Sequence, residues 1–152
     1  MIIRQLFISP GHNFFGHHGQ PPGAHPTIEL PEIECVAGRG IRGDRFFDFK
    51  TDYKGQITFF EGEVFEALCA RLKSAVPSAG GTRRNVIVEG ADLNALVGQP
   101  FEFQGVKFLG TTQCSPCHWM DHVFGAGAEH FLQGRGGLRA RILSDGILRA
   151  EL

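Results

Sequence analysis

The residues of this chain that could do chemistry fall into three groups: a close pair of cysteines, arginines gathered beside glycines, and histidines crowded into one segment. Cys114-Ser115-Pro116-Cys117 is a C-x-x-C, extended by His118. A thiolate in such a turn is a soft metal ligand or a nucleophile, and a nearby imidazolium or guanidinium lowers its pKa. Two chemistries with this spelling fit poorly. C-x-x-C-H attachment of haem belongs to exported proteins, and Met1 to Ser9 lacks the apolar run of a signal peptide. A thioredoxin-type dithiol opens a helix in a βαβ unit, whereas most of this chain reads as strands. Three readings stay open: half a zinc site completed by histidines, two small structural thiols in a proline turn, or a thiolate that binds or attacks a ligand. Cys35, in a strand, and Cys69, on the apolar face of a helix, read as core.

Arginine outnumbers lysine eleven to four, and glycine reaches 21 of 152 residues, about twice its ordinary share. Eight arginines lie in three segments: Arg39, Arg42 and Arg45; Arg83 and Arg84; and Arg135, Arg139 and Arg141. Each one singly reads as a solvated surface charge. Together they suggest anion recognition, because guanidinium forks beside bare backbone N–H groups hold phosphate without a helix terminus. Gly134-Arg135-Gly136-Gly137 offers such a loop, and Thr82-Arg83-Arg84-Asn85 adds donors at the mouth of a strand. Gly38-x-Gly40-x-x-Gly43 spells a dinucleotide fingerprint, but no helical pattern follows it. Between Gly11 and Pro26 stand His12, His17, His18 and His25, among prolines and glycines that exclude a helix or a central strand. This His12–His25 segment reads as a hydrogen-bonding loop over a site, with metal binding as the alternative.

Fifteen basic against sixteen acidic residues give a net charge of −1, which argues against a nucleic-acid partner. No window approaches the eighteen apolar residues of a membrane span, so the expectation is a cytoplasmic protein without a membrane partner. A chain of 152 residues predicts a single domain, 1–152, with a core that needs no disulfide or structural metal.

The elements that must position these residues are mostly strands. Ile2 to Ile8 predicts a strand, Ile28 to Val36 another despite Pro31, and Gly38 to Arg45 a loop. Gly55 to Phe60 is β-rich and leads into the main helix, Glu61 to Leu72, whose apolar residues Val64, Phe65, Leu68, Cys69 and Leu72 recur at helical spacing. Asn85 to Val88 resumes as a strand before a short helical turn from Asp92 to Val97. Phe101 to Phe108 alternates as a hairpin around Gly105, and Arg139 to Ile142 alternates again. Asp145-Gly146 spells a type I′ turn before a last strand, Ile147 to Ala150. Seven or eight short strands with one main helix predict a mainly β fold, a closed or partly open β-barrel.

Taken in order, Thr82-Arg83-Arg84-Asn85-Val86, Gly90 to Gly98, Cys114-Ser115-Pro116-Cys117 and Gly134 to Arg141 resemble the MOSC domain family, named for the carboxy-terminal domain of molybdenum cofactor sulfurase. Arg42-Gly43-Asp44-Arg45 is similar to the family's early Gly-Asp element, and the chain resembles a small stand-alone bacterial member. The resemblance implies a β-barrel and a pterin-based molybdenum cofactor, molybdopterin, whose metal takes a cysteine thiolate. By position Cys117 is the implied metal ligand and catalytic cysteine, with Cys114 second. The implied cofactor-binding residues are Asp44, Arg83, Arg84, Asn85, Arg135 and Gly136. No lysine falls in a matched motif, so pyridoxal phosphate is not expected. Two activities follow from the resemblance. One is two-electron reduction of N-hydroxylated compounds, fed by an external electron donor because no flavin or iron–sulfur motif is present. The other is a carrier without turnover, bringing the cofactor or a persulfide received from a cysteine desulfurase. A zinc-stabilised binding module built on Cys114, Cys117 and the loop histidines is a further alternative.

Overall fold

The computed structural model describes residues 1–11, 26–73 and 78–151. The His12–His25 loop therefore lies outside the described residues, and with it the roles weighed for its histidines. The described chain is mainly β: a mixed sheet of seven strands, a smaller sheet of three, and three helices.

The strands are β1 (Ile2–Ile8), β2 (Ile28–Leu30), β3 (Glu32–Val36), β4 (Gly40–Ile41), β5 (Ile57–Glu61), β6 (Val86–Glu89), β7 (Pro100–Phe103), β8 (Val106–Gln113), β9 (Leu138–Ile142) and β10 (Gly146–Arg149). The helices are α1 (Gly62–Leu72), α2 (His118–Phe124) and α3 (Ala128–Phe131), with short 3-10 turns at Ala79–Thr82 and Leu93–Leu96. The large sheet runs β2-β1-β6-β5-β9-β8-β7 and the small one β10-β3-β4. Among the described residues no ladder joins β2 to β7, so a closed barrel is not found.

All neighbours in the large sheet are antiparallel except β5 and β6. Parallel neighbours need a long crossover, and α1 lies within the segment that joins these two. The large sheet buries both faces. Phe59, Val86, Val88, Phe108 and Leu138 face one core with Ile33, Cys35, Ile41 and Leu148 of the small sheet. Phe7, Phe60 and Ile87 face a second core with Leu68, Met120, Phe124 and Leu132 from the helical side. Adjacent residues such as Phe59 and Phe60 thus enter different cores, as the two-residue period of a strand requires. A register shift between Ile3 and Gln5 lets Ile3 and Leu6 share the first core despite their odd spacing.

Three expectations are corrected. The strand from Ile28 to Val36 is broken at Pro31 into β2 and β3, which join different sheets. Pro31 has no N–H for a ladder, and its carbonyl instead accepts a bond from the Ala150 N–H. Asp145-Gly146 does not make a β9–β10 hairpin, because β10 pairs with β3. Neither residue has the positive φ that a type I′ turn requires; Gln104 and Gly105 do, in the β7–β8 hairpin. The count of seven or eight strands with one main helix and short helical turns falls short: the described residues form ten strands, and two further helices, α2 and α3, cover the second core.

Candidate functional site

Across the middle of the large sheet, three polar residues stand side by side on neighbouring strands. Thr58 of β5 pairs with Arg139 of β9 on one side and bonds Asn85, just before β6, on the other. The Asn85 Oδ1 accepts from the Thr58 backbone N–H and its hydroxyl, both at 3.0 Å. Its Nδ2 donates to the Phe7 carbonyl at 3.1 Å and to Asp44 Oδ1 at 3.4 Å. Asn85 is buried, and these bonds fully engage its amide. Asp44, also buried, accepts from the backbone N–H groups of Ser9 at 3.0 Å and Phe46 at 3.2 Å and from the Arg45 guanidinium at 3.3 Å. Both residues therefore act as scaffold, pinning the ends of β1, β5 and β6 beside the arginines.

Four of those arginines meet. Arg45, Arg83, Arg84 and Arg139 line one cavity of about 80 Å³ with Phe46, Tyr53, Gly55, Thr58 and Cys114. Arg83 has left-handed backbone at φ 60°, uncommon for a side-chain-bearing residue, where it ends the 3-10 turn. Its buried guanidinium donates to Ser9 Oγ at 2.6 Å, the Gly11 carbonyl at 2.5 Å and Thr27 Oγ1 at 3.1 Å. These contacts hold together the two described ends that flank the histidine loop. Burial, with the Arg45 charge adding to it and Asp44 opposing it, brings the Arg83 pKa down to about 10, so it remains a cation at neutral pH. Burial likewise lowers that of Arg45, against the pull of Asp44 and with the push of Arg84. Three cations forced close together in a half-dry setting are what a bound anion relieves.

Cys114 follows β8 and is buried on the wall of this cavity. Its N–H donates to the Gly137 carbonyl at 2.8 Å. The two chain segments pass so closely that a Cβ on Gly136 would lie 2.2 Å from the Cys114 carbonyl oxygen, and one on Gly137, at φ 108°, 2.3 Å from that of Phe59. Cys117 is half-buried at the start of α2. Burial pushes its thiol pKa up and Glu129 adds to that; the Trp119 backbone N–H and the Arg84 charge pull it down. Arg84 thus links the two parts: it lines the cavity, donates from Nε to the Gly136 carbonyl at 3.0 Å, and acts on the Cys117 thiol.

Of the residues singled out by sequence, Cys114, Arg83 and Arg84 line the cavity, and Cys117 stands within the field of Arg84. Asn85 and Asp44 support it from below. Gly136 offers its carbonyl to Arg84 and its lack of a side chain to the cysteine turn. Arg135 is not brought in: it is exposed, and its guanidinium lies over the Phe131 ring at 4.4 Å. Arg45 and Arg139 belonged to the arginine clusters but were not among the implied cofactor residues. Phe46, Tyr53 and Thr58 carried no sequence signal that set them apart from core or loop.

The chain matches the model of the MOSC domain over residues 17–151. No curated protein matches it. Among solved structures it is similar to the YuaD protein from Bacillus subtilis, at TM-score 0.75 and 16% identity over 97% of this chain and 90% of that one. It is also similar to YiiM from Escherichia coli, at TM-score 0.68 and 14% identity over 99% and 67% of the two chains. YiiM from Geobacillus stearothermophilus gives TM-score 0.67 and 13% identity over 97% and 70%. With the order of elements and the family match covering most of its length, this chain belongs to the MOSC domain family.

Proposed function

We propose that this protein binds a pterin-based molybdenum cofactor, with the Cys117 thiolate as the metal's protein ligand and the arginine-lined cavity as the seat of the cofactor's phosphate. The observation that carries this is the placement of Arg84, which belongs at once to the anion cavity and to the electrostatic surroundings of the Cys117 thiol. The donor set suits such a group: guanidinium forks for an oxyanion, a soft thiolate for the metal. The size agrees as well. A cavity of about 80 Å³ takes an oxyanion group, whereas whole cofactors need roughly 300–1,000 Å³, so only the phosphate end enters it. Cys117 is preferred to Cys114 because its half-exposed position admits a bulky partner, while Cys114 is walled in.

When bound, such a cofactor supplies two-electron redox chemistry, and the substrate class we propose is N-hydroxylated compounds, with electrons from an external donor. The chain's own residues hold, charge and orient. Cys117 must lose a proton that burial makes it retain, and Arg84 stabilises the resulting thiolate. Arg45, Arg83 and Arg139 neutralise the phosphate, the first two without rearranging, since Arg83 and Arg45 are already fixed by Ser9, Gly11 and Asp44. The half-exposure of Cys117 supports a second reading, in which its thiolate attacks the outer sulfur of a cysteine desulfurase's persulfide, releases the desulfurase's cysteine thiolate, and passes the sulfur on to an acceptor in the same way.

Protein purified from a cofactor-producing host is expected to hold about one molybdenum per chain, lost in Cys117→Ala and kept in Cys114→Ala. Wild-type protein without molybdenum, even after reconstitution, overturns the proposal. In that case an added sulfur on intact wild-type protein, absent from Cys117→Ala, selects the carrier.

A further inference from the structure

We infer that α2 and α3 carry a divalent-cation site formed by His118, Asp121 and Glu129, distinct from the arginine cavity and suited to zinc. One ligand-capable atom from each of the three lies within 4.8 Å of the others. His118 and Asp121 are three residues apart on α2 and so share a face. Glu129 comes from the first turn of α3. The two helices are locked in register here, because Asp121 Oδ1 accepts from the Glu129 backbone N–H at 2.8 Å. That bond uses one lone-pair site of the Asp121 carboxylate, which has about four, so the group can still ligate. Asp121 and Glu129 are both half-buried, and neither has a lysine or arginine partner among the described ion pairs. Two carboxylates this close to one imidazole nitrogen concentrate negative charge where a divalent cation would be favoured.

One imidazole nitrogen with two carboxylate oxygens is a borderline-to-hard set that suits zinc and leaves a fourth position open to water or an anion. Zinc bonds of about 2.0–2.2 Å put ligand atoms roughly 3.5 Å apart, so the trio need close by at most about 1.3 Å, within reach of side-chain rotation. This ligand set contains no thiol. It therefore differs from a zinc site built on Cys114, Cys117 and the loop histidines, and it stands whether or not the protein binds molybdenum.

The test is calorimetric titration of the full chain, first stripped with a chelator, with zinc chloride. One equivalent is expected to bind at micromolar or tighter affinity. His118→Ala, Glu129→Gln and Asp121→Asn should each weaken it at least tenfold. Asp121→Asn retains an acceptor for the Glu129 N–H, so its loss of affinity reports charge rather than fold. The Cys114→Ser/Cys117→Ser double variant should bind as wild type does. Zinc should raise the melting temperature of the wild type and leave that of Glu129→Gln unchanged. No uptake by the wild type overturns the site. So does uptake that survives both Asp121→Asn and Glu129→Gln, or that disappears in the double cysteine variant.

Discussion

At the scale of single residues, side chains that read alike in the sequence take different work. Arg83, Arg84 and Asn85 are consecutive and were expected to share one ligand. Arg83 and Arg84 do line the cavity, but Asn85 spends its amide on Thr58, Phe7 and Asp44. Asn85→Ala removes partners from several buried groups, each costing about 1–3 kcal/mol when left unsatisfied. A loss of about 3 kcal/mol is expected in urea unfolding, and a loss under 1 kcal/mol would show that the amide is dispensable. Burial acts on the thiols as well. Burial pushes Cys35 up to about 12, with Glu34 adding to it, and raises Cys117 as well. The reactive form is the thiolate, so alkylation of Cys117 should be slower at pH 8 than that of a free thiol and should rise as pH climbs. Arg84→Met removes a charge that lowers this pKa and should slow it further. Cys35 should stay unlabelled throughout. Peptide-resolved rates with iodoacetamide between pH 7 and 10 measure all three.

At the scale of elements, what could be read from sequence was what local pattern dictates. β1 and α1 follow from apolar periodicity and fall within a residue of expectation; the β7–β8 hairpin turns where expected, but β8 runs five residues past Phe108, to Gln113. Long-range pairing was invisible. Pro31 reads as a defect within one strand because nothing local shows that the chain changes sheets there. Asp145 reads as a turn former, whereas its carboxylate accepts a bond from the Ala37 N–H, more than a hundred residues away in sequence. α2 is too short for its periodicity to register; only the second core shows why Met120 and Phe124 must share a face. Gly136 has the same character: its importance lies in the approach of the cysteine turn. Gly136→Ala overlaps the Cys114 carbonyl and must displace one segment, at about 1–3 kcal/mol. The expected signature is a lower melting temperature together with faster alkylation of Cys114. Unchanged labelling would mean that the two segments move independently.

At the scale of the whole molecule, a net charge of −1 conceals a strongly uneven field. Three of the four cavity arginines are drawn from the clusters around 39–45 and 83–84, and the fourth from 135–141, so a chain neutral on average carries a local concentration of positive charge. An anion that bound there would stabilise the folded state by mass action, about 1.4 kcal/mol at ten times its dissociation constant. Pyrophosphate should therefore raise the melting temperature. Arg84→Met should abolish the rise, and Arg135→Met, which lies outside the cavity, should not. An equal rise in all three proteins would show a general ionic effect instead. The mainly β character and the family were legible because they rest on residue type and order, whereas the barrel expected with them is not found among the described residues. The size of the cavity, the exclusion of Arg135 and the recruitment of Arg139 were not, because each depends on where β9 lies against β5.

The central claim, that Cys117 is the thiolate held by the cofactor's metal, is tested most directly by X-ray absorption at the molybdenum edge of cofactor-loaded protein. The number of sulfur neighbours is expected to fall by one in Cys117→Ser and to be unchanged in Cys114→Ser. A wild-type count retained in Cys117→Ser, or lost only in Cys114→Ser, would contradict it.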